Sequence, residues 1–211
     1  MQSDLSVIDH LVYAAPDLQL GVDAIQRQLD VTVTSGGRHP EWGTANALLS
    51  LGPSTYLEII GPDPEQPDFA GKRIFQIDSL RAPRLVTWAA KGQCLERLSE
   101  IELADDERIG QAYQGARERP DGGMLEWVLT DPRAIVCDGL APFFIDWGDS
   151  PHPAASVPGG AELIDMHVTH PSPERVRETF TRLGLNIAVE KGNSPAIIAT
   201  LNCAGGTITL K

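Results

Sequence analysis

The sequence predicts an α+β protein built from repeated βαβββ units, in which one strand, one helix and three more strands follow each other. Three observations support this fold class. Segments rich in β-branched and aromatic residues alternate with helical stripes of apolar residues. Clusters of proline and glycine separate these segments. The opening of the pattern returns near the end of the chain, which indicates an internal repeat.

The first predicted unit spans residues 6–62 and shows the complete order. It begins with a strand, and an apolar stripe at helical spacing then predicts an amphipathic helix. Turns containing glycine or proline separate the strands that follow. The predicted segments are a strand at 7–13, a helix carrying Leu18, Val22, Ile25 and Leu29, and strands at 31–34, 44–51 and 55–60.

A second unit is predicted at 84–148 and a third, shorter unit at 161–211. The prolines of the connector between them, at 149–160, exclude a helix there. The opening of the third unit aligns with that of the first without a gap, and His167 then falls on His10. The predicted segments are strands at 84–89, 124–129 and 143–147 around a hairpin turn at 120–123, then a strand at 164–170, a helix from Pro173 and strands at 186–189, 196–202 and 207–210.

Length and charge limit the classes of function. The chain has 211 residues, with 29 acidic against 17 basic side chains and a net charge of −12. Nucleic-acid binding needs a concentrated basic surface, so nucleic acid and anionic membranes are excluded as partners. Three scattered cysteines and a polar, acidic N-terminus predict reduced thiols in a cytoplasmic protein.

Two polar residues interrupt the apolar rows of the first unit and are candidates for a site. His10 lies in the first predicted strand and Glu58 in the fourth. A buried polar group needs a partner, and a divalent metal is one such partner for an imidazole and a carboxylate. The alternative is that the two side chains bond to each other or to neighbours and serve only the core.

Further candidates follow from loop position and strand period. His39 lies in a loop flanked by glycines, so it is either a surface histidine or a general base at the rim of a site. Thr44 and Asn46 share one strand face and are expected to hydrogen-bond a ligand. Arg117 and Arg119 also share a face, which suits either a clamp for a carboxylate or phosphate, or a solvated edge.

Several motifs together resemble one known family. The first unit runs from Ile8-Asp9-His10-Leu11-Val12 to Tyr56-Leu57-Glu58-Ile59, and other segments complete the resemblance over most of residues 6–160. The chain is similar to glyoxalase-like domain proteins of the glyoxalase/bleomycin-resistance/extradiol-dioxygenase superfamily, which has the vicinal oxygen chelate fold. The other segments are 36–40 and 43–46, then 117–127, 142–148 and 151–153.

The resemblance implies a curved mixed-sheet cup formed by paired units, in which each unit offers a metal ligand from its first and fourth strands. The first unit keeps both positions, His10 and Glu58. In the second unit Trp88 and either Ile145 or Asp146 occupy them. The third unit keeps His167 and has a threonine at the other position. The implied metal site is therefore His10 and Glu58, with His167 or Asp146 as a further ligand.

Two functions follow from the resemblance. One is a lyase, isomerase or dioxygenase in which a divalent metal (Zn, Ni, Fe or Mn) chelates adjacent substrate oxygens and a base moves a proton. The other is a metal-free protein that binds or sequesters a small molecule, as bleomycin-resistance members do. The incomplete ligand set supports the second function more strongly than the fold by itself does. The odd number of units means that one unit pairs outside the first cup or stays open. A homodimer is expected, and the sequence leaves open whether the third unit pairs within the chain or across the dimer.

Overall fold

A computed structural model describes residues 2–103, 107–118 and 123–211, with the backbone alone at 117 and 118. It contains twelve strands and three α-helices within these ranges. In chain order they are β1 (Ile8–Ala14), α1 (Leu18–Leu29), β2 (Thr34–His39), β3 (Thr44–Gly52), β4 (Thr55–Pro62), β5 (Arg84–Lys91), α2 (Leu95–Ser99), β6 (Ala112–Glu118), β7 (Met124–Thr130), β8 (Phe143–Asp146), β9 (Ala161–His170), α3 (Pro173–Arg182), β10 (Ala188–Lys191), β11 (Ala196–Cys203) and β12 (Gly206–Leu210).

Eight strands form one curled sheet in the order β2-β3-β4-β1-β5-β8-β7-β6. At its centre, β1 pairs parallel with β4 and antiparallel with β5, so strands from the first two predicted units meet in one mixed sheet. The last four strands form a second sheet in the order β10-β9-β11-β12. This architecture confirms the predicted α+β fold with a curved mixed-sheet cup. The boundaries of the three units stay a prediction.

The main core lies on the outer face of the large sheet. Leu11 and Trp88 on this face pack in one apolar cluster with Met166 of β9 and Phe180 of α3. The Trp88 indole is completely buried and donates its Nε1–H to the carbonyl of Leu140 over 2.8 Å. Because the small sheet and the helices cover this face, the opposite face is left to form the cup. Among the described residues, no helix is long and apolar enough to cross a membrane.

Strand β2 differs from its prediction, which placed a strand at 31–34 and ended it at the glycines. The strand instead begins at Thr34 and runs through both Gly36 and Gly37 to His39. Its pairing with β3 shifts register between Ser35 and Arg38, so the two glycines occupy a bulge. Glycine was interpreted as a stop signal, but inside a strand it also marks a bulge.

The connector at 149–160 forms part of the cup wall. The prediction that the prolines exclude a helix here was wrong, because proline is tolerated in the first turn and a short 3-10 helix begins at Pro153. This helix, Pro153–Ala155, packs Ala154 against Leu48 and Tyr56 of the large sheet. The backbone N–H of Ser50 also donates to the carbonyl of Pro158 over 2.8 Å. The connector therefore brings its side chains close to the centre of the large sheet.

Candidate functional site

The cup encloses a cavity of about 280 Å³ with two chemically different walls. One wall is polar and comes from β1 to β4. The other wall is aromatic and aliphatic and comes mainly from β6 to β8. The polar wall includes His10, Arg38, His39, Asn46 and Glu58, and the apolar wall includes Tyr113, Trp127, Leu129, Phe143, Ile145 and Trp147. Such a pocket, with a few polar groups on one side, is typical of small-molecule sites.

A β-bulge in β1 places Asp9 at the base of the polar wall. The register between β1 and β5 shifts between Ile8 and His10: Ile8 pairs with Ala90 and His10 pairs with Ala89. Asp9 is therefore the extra residue of the bulge. Bulges redirect side chains and often occur beside active sites. Here the bulge allows the Asp9 carboxylate to reach the ring of the next residue.

The Asp9 carboxylate is fully buried and accepts three hydrogen bonds. Its Oδ1 lies 2.7 Å from His10 Nδ1, and its Oδ2 lies 3.1 Å from both Trp147 Nε1 and His152 Nε2. Burial by itself raises the pKa of Asp9, but the hydrogen bonds from His10 and His152 outweigh it and lower the pKa to about 2. Asp9 is therefore an ionised acceptor.

This carboxylate orients the imidazole of His10. Since an ionised carboxylate only accepts, the Nδ1 of His10 carries the hydrogen and Nε2 carries the lone pair. Nε2 lies 3.8 Å from Oε2 of Glu58 across the polar end of the cavity. The ring stacks on Tyr56 with centroids 4.5 Å apart, and Phe143 contacts it edge-on. Hydrogen bonding and packing thus hold His10 in one orientation.

Glu58 is held by a second chain of hydrogen bonds. Asn46 Oδ1 accepts from the backbone N–H of Gly37 over 2.6 Å. This contact assigns the amide orientation, and Nδ2 then donates to Oε1 of Glu58 over 2.5 Å. The other carboxylate oxygen faces His10. Asn46, predicted to contact a ligand, thus contacts Glu58, and its predicted role toward a ligand stays untested.

Replacement of Gly36 by alanine is expected to disturb this chain. A Cβ at Gly36 meets Oδ1 of Asn46 at 2.1 Å, closer than two such atoms can approach. The amide must move, so we expect a loss of about 1–3 kcal/mol in the free energy of unfolding. Urea unfolding measures it. Gly205→Ala is the matched control, because nothing lies within 4 Å of its Cβ. Equal stability of the two variants contradicts the expectation.

The predicted base His39 lines the cavity from the last position of strand β2, not from the predicted loop. Its Nδ1 lies 3.1 Å from Oγ1 of Thr44, and its ring lies 5.7 Å from that of Trp42. Thr44 is fully buried beneath it. Nearby, Arg38 is paired with Asp63 and Glu65. His39 is therefore part of the cavity lining, while its role as a base stays a prediction.

Other predicted site residues do not join His10 and Glu58. Asp146 lies outside the cup lining and accepts from the backbone N–H of Gly148 over 2.9 Å. His167 lies on the small sheet, 3.1 Å from Asp165. The side chain of Arg117 and the whole of Arg119 lie outside the described residues. The predicted arginine clamp is therefore untested.

A resident divalent metal needs several donor side chains that converge on one point. Catalytic zinc sites use three protein ligands and one open position. Across the described ranges, no group of three histidine, cysteine or acidic residues is placed to hold a metal. On β5, Ala89 lies opposite His10, whereas Trp88 packs in the outer core. On β8, Ile145 lines the cavity. None of these three side chains can donate to a metal. Within the described part of the chain, His10 and Glu58 therefore supply two donors, one fewer than a catalytic zinc site uses.

Sequence reasoning missed Asp9, Trp147 and the contact made by His152. A regular strand alternates its side chains, and this rule places Asp9 on the face opposite His10. His152 also caps the short 3-10 helix, because its Nδ1 accepts from the backbone N–H of Ala154. The only available signal was the proximity of Asp9 to His10 in the sequence. The contacts of Trp147 and His152 span more than 130 residues.

Comparison with known proteins supports the fold. The chain is similar to a hypothetical protein from Staphylococcus aureus, with 16% identity, a TM-score of 0.60 and coverage of 96% of this chain and 83% of that chain. It also matches methylmalonyl-CoA epimerase from Mycobacterium tuberculosis, with 17% identity, a TM-score of 0.43 and coverage of 72% and 93%. No curated protein matches the sequence. A family model described as "Glyoxalase-like domain" matches residues 8–184. The chain therefore belongs to the glyoxalase-like domain family, within the vicinal oxygen chelate superfamily that its motifs predicted.

Proposed function

We propose that the cup is the site of a small-molecule lyase or isomerase in which His10 moves a proton. One observation carries the proposal: Asp9 holds His10 Nδ1 over 2.7 Å, while Nε2 faces the cavity. A histidine held in this way by a carboxylate has the arrangement of a general base. The family assignment supports a small-molecule substrate with adjacent oxygens.

The proposed step is the removal of a proton from carbon beside a carbonyl group. His10 Nε2 takes the proton, and the electron pair of the C–H bond moves to give an enolate. The resulting imidazolium lies between two carboxylates, 2.7 Å from Asp9 and 3.8 Å from Glu58, which stabilise its charge. Return of the proton to a neighbouring atom completes an isomerisation, and loss of a leaving group completes an elimination.

Metal chelation by His10 and Glu58 stays a prediction, and it competes with the proposed step, because the Nε2 lone pair of His10 cannot bind a metal and take up a proton at the same time. Two donors are one fewer than catalytic zinc sites use. Metal analysis of protein purified without a histidine tag tests the point. We expect well under one Zn, Ni, Fe or Mn ion per chain. One ion per chain, lost in a His10→Ala/Glu58→Ala double variant, reverses this expectation and supports the metal-dependent function.

Hydrogen exchange tests the proposed proton transfer directly. The protein is incubated in D₂O with a panel of α-hydroxy ketones, which carry adjacent oxygens, and loss of the α-hydrogen is followed by ¹H NMR. We expect faster exchange for at least one compound than in protein-free buffer. No acceleration for any member of the panel counts against proton transfer on this class of substrate.

A metal-free binding protein is the second candidate, and the aromatic wall favours it. Trp42, Trp127 and Trp147 line the cavity, whereas Trp88 is buried in the outer core. A ligand in the cup is therefore expected to change the tryptophan fluorescence, and Trp127→Phe is expected to remove a large part of that change.

Matched carboxylate and carboxamide ligands also test the predicted clamp of Arg117 and Arg119. Equal affinity for the two ligands contradicts the clamp.

A further inference from the structure

We propose that His152 is a positioning residue for His10, and that it acts by holding the Asp9 carboxylate with its Nε2–H. The inference rests on the proposed function, since it concerns the histidine to which that function assigns the proton transfer. It adds a residue from the connector at 149–160, outside the strands that form the cup. His152 acts through Asp9 and has no assigned contact with a substrate.

The hydrogen bonds of His152 fix its own tautomer. Its Nδ1 accepts from the backbone N–H of Ala154 over 3.2 Å, so the hydrogen of the neutral ring is on Nε2. Nε2 then donates to Oδ2 of Asp9 over 3.1 Å. The ring is held edge-on against Tyr56 and Trp147, with centroid distances of 5.6 and 6.0 Å. His152 is therefore a donor with a fixed direction.

This donor determines which oxygen of Asp9 faces His10. Oδ2 also receives the Nε1–H of Trp147 over 3.1 Å, so both donors to Oδ2 come from the segment that follows β8. Oδ1 is left to His10 Nδ1 at 2.7 Å. A buried carboxylate held at both oxygens cannot turn freely. It therefore fixes the Nδ1–H form of His10 and keeps the Nε2 lone pair toward the cavity.

An outer cavity explains why the donor is needed. Asp9 and His152 line a second, more open cavity of about 540 Å³, together with Lys91 and Trp147. If the Nε2–H of His152 is absent, water from this side reaches Oδ2 of Asp9. The carboxylate then turns toward the water, and the bond from Oδ1 to His10 Nδ1 weakens. His152 thus separates the Asp9 carboxylate from solvent while holding its orientation.

The tautomer of His10 provides the test, measured by ¹⁵N NMR on histidine-labelled protein without any ligand. The chain has five histidines, so His10→Gln assigns the His10 resonances. We expect His152→Phe to lower the ratio of Nδ1–H to Nε2–H at His10 about fivefold, as expected for weakening one buried hydrogen bond. His152→Gln retains an N–H near the position of Nε2, so we expect it to keep most of the ratio. Trp147→Phe is expected to lower the ratio in the same direction.

His170→Phe is the matched control. His170 is also buried and bonds an aspartate, Asp138, over 2.9 Å, but it lies on the small sheet. We expect this variant to leave the His10 ratio unchanged. The proposal is overturned if His152→Phe has no effect, if His152→Gln lowers the ratio as much as His152→Phe, or if His170→Phe lowers it equally. Because no ligand is present, these results are separate from the hydrogen-exchange result, and either proposal can fail alone.

Discussion

Replacement of His10 by glutamine is expected to lower the rate of α-hydrogen exchange by about 10²- to 10⁴-fold, the usual contribution of a general base. Glutamine fills a similar volume and can donate to Asp9, but it cannot take up a proton at neutral pH. The proton-accepting group at the polar end of the cavity is thus removed while its packing against Tyr56 is largely kept. The rate is measured in D₂O by ¹H NMR, at equal concentrations of folded protein.

His170→Gln is the control for this variant, since it changes a buried histidine bonded to an aspartate outside the cup. Its exchange rate is expected to match that of the unchanged protein. Glu58→Gln distinguishes the contribution of Glu58 from that of His10. It removes a charge 3.8 Å from His10 but leaves the base in place, so a smaller decrease in the exchange rate is expected. An unchanged rate in His10→Gln assigns the proton transfer to another residue, and His39 is then the next to be tested.

The Asp9→Asn variant is expected to lose about 3 kcal/mol in the free energy of unfolding, because the substitution weakens three buried hydrogen bonds to a charged acceptor. The carboxylate receives hydrogen bonds from His10, Trp147 and His152. An amide replaces one accepting oxygen with an NH₂ donor. Either the N–H groups of Trp147 and His152 then face this donor, or the amide turns toward His10 and forces its ring into the Nε2–H tautomer. Urea unfolding at pH 7 measures the loss. Asp165→Asn is the control, because this half-exposed aspartate also bonds a histidine, His167, and is expected to cost well under 1 kcal/mol.

The loss in Asp9→Asn is also expected to depend on pH. The pKa of Asp9 is about 2 in the folded chain and 3.8 in the unfolded reference, so folding favours the ionised form. This preference contributes about 2 kcal/mol of stability above pH 4, and the contribution disappears as the pH falls toward 2. The stability difference between the two proteins should therefore narrow between pH 4 and pH 2. A constant difference over that range contradicts an ionised, hydrogen-bonded Asp9.

The sequence was sufficient for the order of the elements but not for the details of the site. The helix stripe from Leu18 to Leu29 matches α1. The third and fourth strands also lie close to their predicted bounds, because their periodicity and turns are local signals. The bulge at Asp9 depends on pairing with a strand far along the chain, so it has no local signature. The same is true of the register that places Ala89 opposite His10.

In the candidate site, too, local sequence signals identified some residues, whereas contacts between distant segments could not be predicted. His10, Asn46 and Glu58 were selected from strand patterns and lie together in the structure. The contacts that orient them come from elsewhere: a glycine backbone N–H in β2 for Asn46, and the connector for Asp9. Such contacts depend on tertiary placement. The predicted metal ligands remain open for a related reason, because which units meet is decided by the sheet order and not by the motif itself.

The two walls of the cup have a consequence for how this protein can change during evolution. The polar groups come from strands before residue 62, whereas most of the aromatic wall comes from strands after residue 112. Mutations in the later segment can reshape ligand selectivity while the polar groups keep their positions. Under the proposed function, a lineage can therefore acquire new substrates without rebuilding its chemistry. The exception is the stretch that carries Trp147 and His152, where a mutation that alters the pocket also alters the support of His10 through Asp9.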